Sequence, residues 1–180
     1  MAENRHSHHP SNFAGPALLI PNMAVTSAVV HWLDWGIWRN RHLATLLGMP
    51  LHKATGLRSS PTDTAYVGWG LKPSGQRARS LAARHNRACW LLEDGFLRSS
   101  GSSNTPSWSL VVDDKGIYYD ASNASRLEDL ISKPLTSQEQ ARTRLLIELW
   151  KHERLSKYNA GRDPVQLAVY QSQPVLLHLF

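Results

Sequence analysis

Apolar and polar positions along the chain switch between a two-residue and a helical period, and the switches mark out its elements. Residues 25–33, VTSAVVHWL, are rich in β-branched side chains and predict a strand. An aromatic turn, Asp34-Trp35-Gly36-Ile37-Trp38, follows. A short helix is expected over Arg41 to Leu47, and a loop over 48–63, where Gly, Pro, Ser and Thr collect. Ala65-Tyr66-Val67 predicts a second strand, running into Gly68-Trp69-Gly70. After Lys72-Pro73-Ser74-Gly75 the apolar positions take helical spacing. Ala78, Leu81, Ala82 and His85 fall at i, i+3, i+4 and i+7, so they share one face. Ser74 stands where an N-cap is needed, and Arg77, Arg79, Arg84 and Arg87 mostly cover the opposite face. Cys89 to Leu92 predicts the next strand. Strand, glycine turn, helix and strand make a β-α-β unit, which implies an α/β fold with a parallel sheet.

Further along, Ser109 to Val112 predicts a strand. The turn Asp113-Asp114-Lys115-Gly116 joins it to Ile117-Tyr118-Tyr119, a hairpin by turn chemistry. Two capping boxes follow, Ser125 with Glu128 and Thr136 with Glu139. The first opens a short helix that Pro134 ends. The second opens a helix to about Leu155, with Ala141, Leu145, Leu146, Leu149 and Trp150 expected inward.

Candidate chemistry concentrates between Glu93 and Asp120. Two acidic pairs, Glu93-Asp94 and Asp113-Asp114, each follow an apolar run and so sit at predicted strand ends, where open α/β sheets place their ligand crevice. Arg98, a Gly/Ser-rich loop and Tyr118-Tyr119-Asp120 lie in the same stretch. The bland alternative for either pair is a solvated turn. Gly68-x-Gly70 before a helix can hold an anion on backbone amides, but without a third glycine it is a weak dinucleotide signal. Trp32, Trp35 and Trp38 can stack a sugar face or a base; packing is the commoner use of such a cluster.

Composition narrows the classes. The single cysteine, Cys89, excludes an internal disulfide framework and suits a reducing compartment; in an apolar run it reads as a structural thiol. A net charge of +6 permits an anionic partner, although the charge is diffuse and no nucleic-acid motif is found. Residues 1–24 are polar and His-rich with Pro10, Pro16 and Pro21, and read as a flexible arm. His6, His8 and His9 lack a Cys or acidic partner at fixed spacing, so no metal site is expected. The apolar run from Ala17 to Val30 is broken at Pro21-Asn22, short of a membrane span, and it fits a signal peptide poorly because no compact basic region abuts it.

At Gly68-Trp69-Gly70, at residues 92–99 (LEDGFLRS), at residues 109–121 (SLVVDDKGIYYDA) and at Ser156-Lys157-Tyr158-Asn159, the chain resembles the N-terminal part of bacterial capsule-polysaccharide biosynthesis and export proteins. These are β-Kdo transferases that build the Kdo linker between a phosphatidylglycerol lipid and the capsule chain. Gly36-Ile37-Trp38 fits the family's opening turn, and the resemblance covers about Asp34 to Asn159. It implies a Rossmann-like lobe over 25–159, half of a GT-B-like module. It implies CMP-Kdo as donor, a lipid-linked Kdo acceptor, retention of the β configuration and no cofactor. It places the protein in the cytoplasm, with peripheral inner-membrane contact and other capsule-assembly proteins as partners.

An acidic sugar with a CMP leaving group needs cations for carboxylate and phosphate, and a carboxylate to stabilise or trap an oxocarbenium-like centre. On the matching positions, Glu93 and Asp94 are candidate acid/base or hydroxyl-orienting groups. Lys72 and Arg98 are candidate cations, and Arg suits bidentate carboxylate pairing. Asp113, Asp114, Tyr118, Tyr119, Lys157 and Asn159 are candidate substrate contacts. Residues 160–180 do not follow the family pattern, in which a second lobe carries an essential Asp. The expectation is therefore a truncated copy, retaining one lobe and inactive alone. A non-catalytic glycolipid-binding or assembly protein is the alternative. A glycoside hydrolase is conceivable from the acidic pairs, but nothing in the sequence fixes their separation.

Overall fold

The computed structural model describes residues 25–31, 33–54, 63–99, 105 and 107–157. The expected arm over 1–24, the tail over 160–180, and Trp32 and Asn159 lie outside these residues. Five strands form one sheet: β1 (Ser27–His31), β2 (Leu51–Ala54), β3 (Thr64–Trp69), β4 (Ala88–Asp94) and β5 (Leu110–Asp113). Their order is β2-β1-β3-β4-β5. The pairs β1–β2, β1–β3 and β3–β4 are parallel, while β5 runs antiparallel to β4, with Asp94 opposite Leu110 and Leu91 opposite Asp113. The α/β fold expected from the sequence is present, as a parallel sheet with one antiparallel edge.

Helices flank both faces of this sheet. Strand side chains alternate between the two sides. Val30, Val67, Trp90 and Leu92 join Leu43 and Leu47 of helix α2 (Leu43–Leu47) and Ile37 of helix α1 (Trp35–Trp38). Val29 and Tyr66 point the other way, onto Ala78 and Ala82 of helix α3 (Pro73–His85). Each fully buried large apolar side chain stabilises by roughly 1.5–3 kcal/mol, so the two layers hold the sheet from both sides. His85 sits at the packed boundary, its Nδ1 2.5 Å from the Tyr66 hydroxyl.

Several expectations are corrected. Part of the 48–63 stretch is strand β2, not loop. Its His52 and Lys53 are exposed, so its sequence looks polar, and parallel pairing with β1 is what makes it a strand. Ser74 is not the cap of α3: Lys72 is, in extended conformation, with Pro73 in the first helical turn, where its fixed φ and missing N–H cost nothing. No strand forms at Ile117–Tyr119. The Asp113 carboxylate takes the amides of Lys115 and Gly116, 2.9 Å each, and closes the turn locally; the positive-φ glycines among the described residues are Gly48 and Gly70.

Both capping boxes are formed and open helices α4 (Arg126–Ile131) and α5 (Ser137–His152). The inward face expected for α5 is not realised. Leu146 and Trp150 are half-buried, but Leu145 is 73% exposed and no residue of α5 is buried. The helical period supplies an apolar stripe; burial also needs a surface opposite, and the described residues provide one to only part of it.

Candidate functional site

Strands β1, β3 and β4 are parallel and end on one edge of the sheet. From β1 the chain passes to β2 on one side, then crosses to β3 on the other. The carboxyl ends of β1 and β3 therefore flank a topological switch point, the place where open α/β sheets form their crevice. A cleft of about 590 Å³ opens there. Its lining includes Asp34, Trp35 and Arg39 after β1, Lys72 to Ser74 and Arg77 at the start of α3, Asp94 at the end of β4 with Arg98 beyond it, and Thr105 and Ser107.

The β3–α3 turn is built for close approach. Gly70 has φ +39°, and a Cβ on it would lie 1.9 Å from the Tyr119 hydroxyl. A Cβ on Gly75 would lie 1.9 Å from the Gly70 carbonyl oxygen, so helix and turn touch through backbone. Ser74 Oγ accepts the Trp69 N–H at 3.0 Å and ties the first turn to β3. The amides of Ser74 and Gly75 stand where no intrahelical carbonyl can reach them, and the first turn holds no acidic residue. The positive end of α3 thus faces the cleft. Lys72 sits beside it, its Nζ 5.8 Å from the Trp69 ring centre.

Asp94 and Arg98 meet at the end of β4, Nε to Oδ2 2.7 Å, with both side chains largely buried. The Arg98 backbone is fixed on both sides. Its N–H donates to the Lys157 carbonyl at 3.0 Å, and its carbonyl accepts from the Trp108 N–H at 2.8 Å. The Ser156-Lys157 segment is thereby brought back to the Arg98 strand end.

Glu93 has a different environment. Its Oε1 accepts from Trp69 Nε1 at 3.3 Å and from the Asp94 N–H at 3.1 Å. Its Oε2 accepts from the Tyr119 hydroxyl at 3.2 Å, and that hydroxyl accepts the Leu71 N–H at 3.2 Å. Glu93 and Tyr119 clamp the glycine turn, outside the set of side chains that line the cleft. Tyr118 packs its ring on Phe96 at 5.5 Å and edge-on to Tyr119 at 5.3 Å. Burial first, and then the Glu93 carboxylate, hold both phenols above their ordinary range, so they stay protonated donors at neutral pH.

Asp113 and Asp114 are not brought to the cleft. Because β5 is antiparallel, its last residue is level with Leu91, several residues back from the edge where Asp94 lies. Asp113 is 1% exposed, and besides two turn amides its Oδ2 accepts the Arg126 N–H at 2.9 Å. Asp114 forms a two-pronged pair with Arg126, 2.8 Å and 2.5 Å. Both positions tie β5 to α4. Cys89 lies against the α3 side of the sheet, and burial pushes its thiol up to about 11.

Two cleft residues were missed in the sequence. Arg77, assigned to the wet face of α3, reaches across to Asp34, Nε to Oδ1 3.1 Å with Nη2 also on that oxygen. A helical wheel gives the direction of Arg77 but not what stands opposite. Asp34 carried a usable signal, since it follows directly on a strand at the edge where ligands bind. Of the tryptophans, Trp38 is packing, its Nε1 donating to the His31 carbonyl at 3.2 Å, whereas Trp35 is 71% exposed on the cleft.

Comparison with known proteins adds the following. The sequence family described as "Capsule polysaccharide biosynthesis protein" matches residues 64–174, past Asn159 where the motif resemblance stops. The chain is 41% identical to the capsule polysaccharide modification protein LipA of Neisseria meningitidis, over 69% of this chain and 18% of that protein. It is 37% identical to the lipopolysaccharide-processing protein LpsZ of Rhizobium meliloti, over 57% of this chain and 24% of that one. The chain thus spans less than a quarter of the length of either relative. Among solved structures it is similar to the β-Kdo 2,4 transferase of Thermosulfurimonas dismutans KpsC, with 31% identity and a TM-score of 0.66, over 76% of this chain and 43% of that chain. No helix among the described residues is long and apolar enough to cross a membrane.

Proposed function

The chain belongs to the capsule polysaccharide biosynthesis family, and on that premise we propose that its cleft is one wall of a retaining β-Kdo glycosyltransferase site, using CMP-Kdo as donor and a lipid-linked Kdo as acceptor. The observation that carries this is the meeting of Lys72, Arg77, Arg98 and the amide end of α3 at the sheet's switch point. Kdo bears a carboxylate, and its donor bears a phosphate. A pocket with cations and undirected amides at one end suits either anion. Likeness to a β-Kdo 2,4 transferase supports the choice of sugar.

In this proposal Arg98, aligned by Asp94, takes the sugar carboxylate, and Lys72 adds a second charge at the rim. Asp94 orients a sugar hydroxyl. Glu93 is a positioning residue, acting through Tyr119 and the Gly70 turn. Lys157 belongs to the segment that meets the Arg98 backbone, and Asn159, outside the described residues, is kept as a proposed substrate contact. Transfer requires a carboxylate at the anomeric centre, and both acidic residues lining the cleft are engaged, Asp34 with Arg77 and Asp94 with Arg98. That engagement favours a second proposal for the chain taken alone, a site that holds acidic glycan without turning it over.

Titration of the full chain with Kdo, paired with a CMP-Kdo turnover assay on a Kdo-terminated lipid, tests both. Kdo is expected to bind, and Arg98→Ala to weaken binding by about tenfold or more, the usual cost of losing a charge-assisted pair. Lys72→Ala, at an exposed position, is expected to weaken it by a smaller factor. Transfer by the chain alone is expected to be undetectable; clear turnover overturns the binding-only assignment. Kdo affinity indifferent to Arg98→Ala overturns the placement of the carboxylate.

A further inference from the structure

Asp34 is an unusual carboxylate for its place in the fold. It occupies the N-cap position of α1, where an Asp side chain normally accepts amides of the first turn, yet it makes no such bond. Instead Oδ1 is taken by Arg77 from α3, across the cleft mouth. Oδ2 is buried and has no hydrogen-bond partner among the described residues, on a side chain that is 1% exposed. A buried acceptor left unmade is costly, and such groups are rare in folded proteins. Asp34 lines the cleft, beside the exposed Trp35 and the open amide end of α3.

We propose that Asp34 is the hydroxyl-recognising residue of this cleft: its Oδ2 accepts a hydrogen bond from one hydroxyl of a polyhydroxylated anion whose charged group lies toward the start of α3 and Arg98. Arg77 is the positioning residue. It holds Oδ1, keeps the carboxylate turned from the α1 amides, and leaves the second oxygen for the ligand. Trp35 offers its ring to the C–H surface of the same sugar. An anion without hydroxyls satisfies the cations and leaves Oδ2 empty, so the pair selects sugar acids or sugar phosphates over simple anions. The assignment deepens the acidic-sugar function proposed above and rests on it.

The test uses the full chain, Kdo, a set of Kdo analogues each lacking one hydroxyl, and glucose 6-phosphate as a polyol with a different anion. The wild-type chain is expected to lose about tenfold in affinity for one analogue, the cost of a hydrogen bond to a charged acceptor. Asp34→Asn is expected to bind Kdo and that analogue equally. The carboxyl carbon resonance of Asp34 in the wild-type chain gives a readout that does not depend on the variant folding: it is expected to shift with Kdo and stay in place with the discriminated analogue. An unmoved resonance under saturating Kdo overturns the role of Asp34 and leaves the Kdo function standing. A resonance that moves with glucose 6-phosphate but not with Kdo keeps the role of Asp34 and overturns the choice of sugar. Binding of neither ligand overturns both.

Discussion

Asp113 and Asp94 are both carboxylates at the end of a strand, and their surroundings give them opposite work. Asp94 meets one guanidinium at the cleft. Asp113 is 1% exposed and accepts three backbone amides, from Lys115, Gly116 and Arg126. Removing its carboxylate leaves three donors without partners in a buried turn. Asp113→Ala is therefore expected to destabilise the fold by about 2–4 kcal/mol, given about 1–3 kcal/mol for each buried group left unsatisfied and some relaxation. Urea unfolding checks it, as a lower midpoint at unchanged slope. A loss under about 0.5 kcal/mol, the scatter of ordinary surface changes, means the side chain is not needed for the turn and is available to a ligand. The same contrast separates Glu93 from Asp94. Adjacent in sequence, they point to opposite sides of a strand, one into the Tyr119 clamp and one into the cleft.

At the scale of elements, α5 stands apart from the sheet. Leu145, Ile147 and Leu149 are 73%, 43% and 39% exposed, so tertiary burial contributes little to it. Among the described residues, local contacts support it: the Thr136–Glu139 box, the Glu148–Lys151 pair at 3.4 Å, and the Trp150 Nε1 bond to the Leu155 carbonyl at 2.7 Å. Thr136→Ala removes about 1 kcal/mol of capping. Amide hydrogen exchange in α5 is then expected to quicken by about fivefold while β3 and β4 keep their rates. If the strand amides quicken in step, α5 and the sheet open as one unit and the separation fails. This locality explains what was legible in the sequence. Both capping boxes were readable because all their atoms lie within four residues. The β-α-β unit was readable because each face repeats its own period. Strand β2 was not, since Leu51–Ala54 acquires its identity from β1. Nor was the Asp34–Arg77 pair, 43 residues apart, because a wheel or a strand pattern gives direction and no partner.

Across the whole molecule, the question is what the net charge of +6 is for. A nucleic-acid surface needs cations left open over a wide area. Here many of them are already committed within the fold: Arg77 to Asp34, Arg79 to Asp120 at 4.0 Å, Arg98 to Asp94, Lys115 to Asp129, and Arg126 to Asp114. The Lys115 ammonium in turn holds the Asp129 carboxyl below the usual carboxylate range, as expected of a settled pair. Among the residues that line the cleft, the exposed cations are Arg39 and Lys72, beside the Arg77 and Arg98 pairs. The monosaccharide anion proposed for the cleft would touch one or two cations, whereas a protein covering six to ten phosphates loses roughly a thousandfold or more in affinity between 50 and 200 mM salt. The expected outcome is that Kdo affinity falls by less than about tenfold over that range. Random duplex DNA is expected to bind no more tightly than about 10⁻⁴ M at the higher salt, the weak end of non-specific association. Titrations of both ligands at the two salt concentrations decide it. Micromolar DNA binding with a steep salt slope would mean that the basic charge serves a polymer of phosphates, and that the sugar cleft does not account for it.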